Sequence, residues 1–390
     1  MTSDTADVAG CASHRRRVPP VTTVSTREFA QPDGVAGAGY RFSVAGPVGG
    51  ARRAGTRGRR RHTEGYSGTR DGSRERSVRI LVIGAGVIGS VYAAKLLQSG
   101  HEVVLLARGR RLADLQASGL ILEEAESGQR TVVPVTVVAA LDPEDRYDLV
   151  LVPVRSEQLA AVLPVLAGMR DGSQVLFFGN TTGRHARLVE ALGDRALFGF
   201  PAAGGVRNGP VIRYVLISQQ QTMLGEPTGA TTSRLQHLKA VLQGAGFSTT
   251  ITADIDGWLQ GHAAFVVPIA FALYRVGTDP SRLAAEPDTL RLMVRATREA
   301  FQALRADGKA EIPANLRTLY LRLPTAFAVR YWRRVLAGPR GELWFAAHTR
   351  AAPEEMRALA DELQDAVRRT GRSTPDLTML LRTTPMNGHI

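Results

Sequence analysis

RILVIGAGVIGSVYAAKLLQSGHEVVLLARGRR, residues Arg79 to Arg111, is the stretch that decides the fold. Arg79 to Ile83 is a short apolar run with β-branched members, the composition of a strand covered on both faces. Gly84, Gly86 and Gly89 follow as G-x-G-x-x-G. The first glycine permits a tight turn, the second lets a pyrophosphate approach the backbone, and the third lets the next helix pack closely on the strand. A helix is predicted from about Val87 to Ser99, stopped by Gly100, with its free N–H groups and positive dipole end aimed at phosphates. The backbone of Gly84, Gly86, Val87, Ile88 and Gly89 is therefore the expected cradle for a dinucleotide. His101 to Leu106 reads as the second strand.

The end of that second strand bears on which dinucleotide. Sites that prefer NAD carry Asp or Glu there for the ribose 2′-hydroxyl. This chain has Ala107 and Arg108, with Arg110 and Arg111 close behind. A guanidinium grips a 2′-phosphate with a two-pronged fork, whereas an acid repels it. The expected cofactor is NADP(H), with its 2′-phosphate on Arg108 and Arg111. A solvated basic turn opening the next helix would explain Arg110 and Arg111 but not the missing acid.

Composition narrows the class. The 390 residues leave room for two domains and a sizeable core. Cys11 is the only cysteine, so neither a disulfide framework nor a thiol metal site is expected, and no metal is. That usage fits a reducing cytoplasm, the expected location. No run has the ~20 unbroken apolar residues of a membrane span. Phe265 to Tyr274, interrupted by Pro268, reads as a buried core helix. The formal charge of +13 is uneven, because residues 1–77 hold fourteen arginines against seven acids. Lysine occurs only at Lys95, Lys239 and Lys309, a bias that reads as compositional drift. Nucleic acid is not an expected partner, except through non-specific contacts of the Arg/Gly-rich tail.

Three regions follow. Residues 1–77 lack periodicity and apolar surface and read as a disordered tail, or as a reading frame opened upstream of a start near Val78. Residues 78–253 alternate strands with helices, with strands expected at Val103–Leu106, Thr131–Val138, Asp148–Pro153, Gln174–Phe178 and Ala196–Phe200. Val211–Ile217 and Gln221–Leu224 read as a later hairpin or edge pair. This is an α/β pattern, a doubly wound parallel sheet of the Rossmann type. Residues 254–390 carry long helices only, so an all-helical C-terminal domain for substrate and dimerisation is expected. A substrate would meet the nicotinamide in the cleft between the two; whether the chain pairs as a homodimer stays open.

Five places resemble the ketopantoate reductase (2-dehydropantoate 2-reductase) family, over about Arg79 to Leu381. They are the glycine turn with its arginines, D-L-V-L-V-P-V-R at Asp148 to Arg155, F-F-G-N at Phe177 to Asn180, D-x-W at Asp256 to Trp258, and a C-terminal acidic helix followed by Thr374–Pro375. The resemblance implies a Rossmann domain plus a helical domain, and NADPH-dependent reduction of a 2-oxo acid to a 2-hydroxy acid. It places Arg155, where the family usually has lysine, beside the nicotinamide and substrate. It places Asn180 against cofactor and substrate, and Glu355 on the far end of the substrate, with Glu354 as the register alternative.

The resemblance also marks a departure. The family's proton-donating lysine, two residues after the tryptophan, corresponds to Gln260, and its asparagine four residues on to Ala264. Glutamine orients a carbonyl but supplies no proton at neutral pH. Two histidines are candidates to replace the lysine. His262 lies about 200° around the helix from Gln260, on the face of Trp258, and reads as a core or interface residue. His348, near a substrate-contacting serine of the family, could donate a proton near neutrality. The expected catalytic set is thus Asn180, Gln260, Glu355 and His348. The alternative is a protein that binds NADP(H) and has lost catalysis.

Overall fold

The structure, a computed structural model, describes residues 77–382 apart from Pro143, Arg170, Asp171 and Lys309. The stretch read above as a disordered tail, with any nucleic-acid contact it makes, lies outside the described residues save for Ser77.

Among the described residues, twelve strands form two sheets. They are β1 (Arg79–Ile83), β2 (Glu102–Leu106), β3 (Leu120–Glu124), β4 (Arg130–Val133), β5 (Thr136–Val138), β6 (Leu149–Val152), β7 (Gln174–Phe178), β8 (Ala196–Phe200), β9 (Ala203–Asn208), β10 (Val211–Leu216), β11 (Thr222–Gly225) and β12 (Thr249–Ile251). The large sheet runs β12-β11-β8-β7-β6-β1-β2-β5, and the small one β4-β3-β10-β9. β1 pairs in parallel with β2 on one side and β6 on the other. The chain winds away from β1 in both directions, so the crevice at the carboxyl ends of β1 and β6 is the switch point where such sheets take ligands.

The helices of this half are α1 (Val87–Gln98), α2 (Gly109–Ser118), α3 (Leu159–Ala167), α4 (His185–Leu192) and α5 (Ser233–Gly244). Strand residues alternate between two cores, as the two-residue period requires. Ile80, Val82, Leu105, Leu151 and Leu176 pack with Val91, Tyr92 and Leu96 of α1. Leu81, Ile83, Val104, Val150 and Phe177 face the opposite layer, with Leu159, Leu166 and Leu188 of α3 and α4.

The remaining elements are helical: α6 (Ile255–Arg275), α7 (Pro280–Ala285), α8 (Pro287–Ala306), α9 (Ala314–Arg317), α10 (Thr325–Leu336), α11 (Pro339–Gly341), α12 (Ala347–Ala351), α13 (Pro353–Arg369) and α14 (Pro375–Leu381). Two π turns, Thr318–Arg322 and Glu342–Ala346, interrupt them. Asp254 caps α6, its Oδ1 accepting from the Gly257 N–H at 2.8 Å. Ile255, Trp258 and Leu259 at the start of α6 pack on the second face of the sheet. From Ala263 onward the same helix enters the helical core. It is therefore the element that ties the two layers. By length and composition α6 could cross a membrane, but 78% of its apolar window is buried inside the fold, the state of a core helix.

Two strand expectations are corrected. The single strand expected at Thr131–Val138 is two. Pro134 has no N–H to continue a ladder, so β4 stays with β3 in the small sheet and β5 crosses to the edge of the large one, beside β2. The hairpin expected from Val211–Ile217 and Gln221–Leu224 does not form. β10 pairs with β9 and β3, while β11 runs antiparallel to β8 in the other sheet.

Candidate active site

The three glycines of the turn differ in what surrounds them. Gly84 has φ +121°, a backbone state in which a side chain is strained. A Cβ on Gly89 would stand 1.9 Å from the Gly84 carbonyl oxygen, so close packing of α1 on β1 demands a glycine there. A Cβ on Gly86 would meet nothing within 4 Å, so this residue opens onto free space. Gly86 is also the N-cap of α1 and offers no side-chain cap, which leaves amide donors for an anion. Gly84 to Ile88 line a cavity of ≈ 1830 Å³. That exceeds a drug-sized site, roughly 300–1,000 Å³, and has room for a dinucleotide and a second molecule. The open face at Gly86 and the uncapped amides fit a pyrophosphate.

The arginines divide. Arg108 is exposed at the start of α2 and lines the cavity. Arg111 also lines the cavity, but it is partly committed to the protein. It is 8% exposed, and its guanidinium donates to the Ala85 carbonyl oxygen, the Pro210 carbonyl oxygen and Ser90 Oγ, each at 3.1 Å. It braces the glycine turn against the β9–β10 connection. Burial, reinforced by nearby Arg207, lowers its pKa. Arg207, at the end of β9, is exposed and lines the same cavity. Sequence reasoning missed it, because A-G-G-V-R-N carries no signal that its strand passes the cofactor end of the sheet. Arg155 follows β6 at the cavity wall, half-exposed, with Nη1 3.9 Å from Glu157 Oε1.

Across the cavity, residues far apart in sequence converge. Asn180 follows β7 and is buried, and its Nδ2 donates to Glu355 Oε1 at 2.8 Å. Glu355 is 5% exposed in the first turn of α13, where the helix dipole favours an anion. Glu354 beside it is exposed. The second oxygen, Glu355 Oε2, is buried without a hydrogen-bond partner among the described residues and lies 3.7 Å from His348 Nε2. His348 is half-exposed and lines the cavity. The Tyr274 hydroxyl donates to the Thr349 carbonyl oxygen at 2.9 Å, which ties the His348 segment to α6.

The expectation for α6 is corrected. The cavity is lined by Trp258, His262, Phe265 and Val266, and Gln260 is not among its lining residues. Two residues along a helix is more than half a turn, so the side that presents His262 cannot present Gln260. His262 sits between aromatic rings, its centroid 4.1 Å from that of Phe200 and 5.4 Å from that of Trp258. Asp256 instead points to His185, with Oδ1 2.6 Å from Nδ1.

Burial, with His348 as the second cause, pulls the pKa of His262 down to about 3. At neutral pH its imidazole is uncharged, with one N–H to donate. In the unfolded chain an ordinary histidine titrates near 6.5. Between that value and about 3 the unfolded chain binds the extra proton, so stability falls as pH falls. The slope is at most about 1.4 kcal/mol per pH unit. Urea midpoints measured from pH 7 down to 4 are expected to drop less steeply in His262→Phe than in the parent chain.

Residues 80–229 match the profile of the family described as ketopantoate reductase PanE/ApbA. The 2-dehydropantoate 2-reductase of Halobacterium salinarum is 28% identical over 236 residues, covering 59% of this chain and 76% of the relative. That of Aquifex aeolicus is 27% identical over 250 residues, covering 60% and 74%. Among solved structures, the 2-dehydropantoate 2-reductase of Geobacter metallireducens superposes with a TM-score of 0.64 at 19% identity, covering 79% of this chain and 99% of the other. D-Mandelate dehydrogenase, solved with NADH and anilino(oxo)acetate, gives 0.63 at 16% identity, covering 78% and 96%. At these identities the two structures speak for the fold. The fold is the Rossmann-type sheet with a helical C-terminal region that these structures share. Over residues 80–229 the chain is similar to the ketopantoate reductase family, and its curated relatives of that name are 27–28% identical.

Proposed function

We propose that this chain is an NADPH-dependent reductase that converts a 2-oxo acid to the 2-hydroxy acid. One observation carries the reading: Asn180, Glu355 and His348 meet in the cavity that begins at the glycine turn. The strand-and-loop half, 78–253, holds the cofactor, and the helical half, 254–390, supplies most groups for the substrate. When bound, the dinucleotide supplies the hydride. The amides at Gly86 to Ile88 hold its pyrophosphate, and Arg108, seconded by Arg207, holds the 2′-phosphate.

The remaining chemistry belongs to side chains of this chain. Arg155 pairs with the substrate carboxylate. The His262 N–H donates to the carbonyl oxygen and polarises it, as a neutral imidazole can. His348 gives the proton to that oxygen as negative charge develops on it. The Glu355 carboxylate steadies the protonated ring before transfer, and solvent at the exposed edge of His348 returns the proton. Asn180 fixes Glu355 through one amide hydrogen bond and keeps its carbonyl oxygen for the substrate hydroxyl or the nicotinamide amide.

A second reading rests on the absence of lysine from the cavity-facing residues of α6. There the protein binds NADP(H) and turns nothing over. NADPH oxidation measured with a panel of 2-oxo acids separates the two, since formation of a 2-hydroxy acid excludes the second. Arg108→Glu tests the cofactor: NADPH affinity is expected to fall at least tenfold, about 1.4 kcal/mol, with NADH affinity unchanged. Equal use of NADH and NADPH by the parent chain would sink the 2′-phosphate assignment.

A further inference from the structure

We infer that the substrate of this site is a 2-oxo acid with a large apolar, preferably aromatic, side chain; the inference rests on the reductase reading above. One turn beyond His262, α6 presents Phe265 and Val266 to the cavity, and three further elements close around them. α10 contributes Trp332, the π turn Glu342–Ala346 contributes Leu343, Trp344 and Phe345, and α9 contributes Leu316. The rings form one connected wall. Phe265 lies 5.5 Å from Trp332 and 6.0 Å from Phe345, and Trp332 lies 5.7 Å from Phe345, centroid to centroid. Tilted and edge-on packing of this kind leaves ring faces and edges for another ring to meet.

The charged groups Glu311 and Arg350 at this end are engaged within the protein. Glu311 accepts from the Thr252 hydroxyl at 2.6 Å, and Arg350 donates to the Thr278 carbonyl oxygen at 2.9 Å and pairs with Glu342. The indole Nε1 of Trp344 is buried and has no hydrogen-bond partner among the described residues. It can donate to one oxygen of a substrate. A hydroxyl on the substrate would find few donors here, chiefly the Trp344 and Trp332 indoles and the Asn315 amide, among a larger area of ring carbon. A compact, hydroxylated oxo acid such as ketopantoate leaves much of this wall uncovered, whereas a phenyl or indolyl group covers it. π turns occur frequently at functional sites, and this one places two aromatic residues and a leucine on the cavity.

The test compares kcat/KM for phenylpyruvate, 4-methyl-2-oxopentanoate, pyruvate and ketopantoate with NADPH, using the full chain. Each added methylene that fits an apolar pocket is worth about 10-fold or more. Phenylpyruvate is expected to exceed pyruvate and ketopantoate by at least tenfold. In Val266→Trp, which fills the lobe, that ratio is expected to fall at least tenfold. Preference for ketopantoate or pyruvate would overturn the inference and leave the reductase reading standing. Turnover of none of the four would overturn the reductase reading. In that case tryptophan-fluorescence titration of the NADP⁺-loaded protein decides the pocket. Phenylpyruvate binding at least tenfold tighter than pyruvate supports it, and equal or absent binding overturns it.

Discussion

Replacing His348 by alanine is expected to lower kcat by about 10²–10⁴, the usual worth of a general acid, while NADPH affinity stays as in the parent chain. The expectation follows from geometry: His348 is the cavity histidine with both a carboxylate within 3.7 Å and an edge in solvent. His262 has neither a carboxylate contact of that kind nor, at neutral pH, a charge to give, because burial holds its pKa near 3. Added imidazole is expected to restore part of the rate in His348→Ala, since the vacated position is open to solvent. Gln260→Lys, which would restore the lysine at the spacing the family pattern suggested, is expected to change nothing. That side chain is outside the cavity lining. A His348→Ala enzyme with full kcat would remove the proton donor proposed here. A large gain from Gln260→Lys would show that α6 presents a different side.

The second large effect separates two glycines three residues apart. Gly89→Ala drives a methyl group to within 1.9 Å of the Gly84 carbonyl oxygen. Neither atom can yield alone, because one sits on β1's exit and the other in the first turn of α1. The strain of overpacking costs typically 1–3 kcal/mol or more, and an ångström-scale displacement of the turn costs about 10²-fold in kcat/KM. Gly86→Ala has free space around its new methyl group and an ordinary extended backbone, φ −75°. Its stability is expected to match the parent chain. Its NADPH affinity is expected to fall at least tenfold, because the methyl group occupies the side from which the pyrophosphate would approach. Urea midpoints and NADPH titrations on both variants check the pair. Loss of stability in Gly86→Ala, or intact binding in Gly89→Ala, would contradict the assignment of the cleft.

What the sequence disclosed, and what it hid, follows the range of the forces involved. β1, the glycine turn and α1 were legible because every determinant is local: a five-residue apolar run, three glycines at fixed spacing, and a helical stretch ended by glycine. β7 and β8 agree with their expected limits for the same reason. Strand partners were not legible, because pairing is settled by layers that meet only after folding. β10 and β11 follow one another in sequence yet enter different sheets. Asn180 and Glu355 were named from motifs 175 residues apart, but only folding makes them a hydrogen-bonded pair. The side of α6 that meets the cavity is not legible from the Trp258-to-Gln260 spacing, because the cap at Asp254 and the sheet contact of Trp258 decide it. Arg111 lines the cavity as expected, but its commitment to three protein oxygens is invisible in a sequence, where only its charge shows.

The most direct test is a single-turnover experiment: the full chain, an excess of enzyme over NADPH, a 2-oxo acid from the panel, and product analysis for the 2-hydroxy acid. The expected result is stoichiometric loss of NADPH with one hydroxy acid formed per NADPH, abolished or strongly slowed in His348→Ala. Tight binding of NADPH with no hydroxy acid from any member of the panel would contradict it, and would leave a nucleotide-binding protein without the reaction.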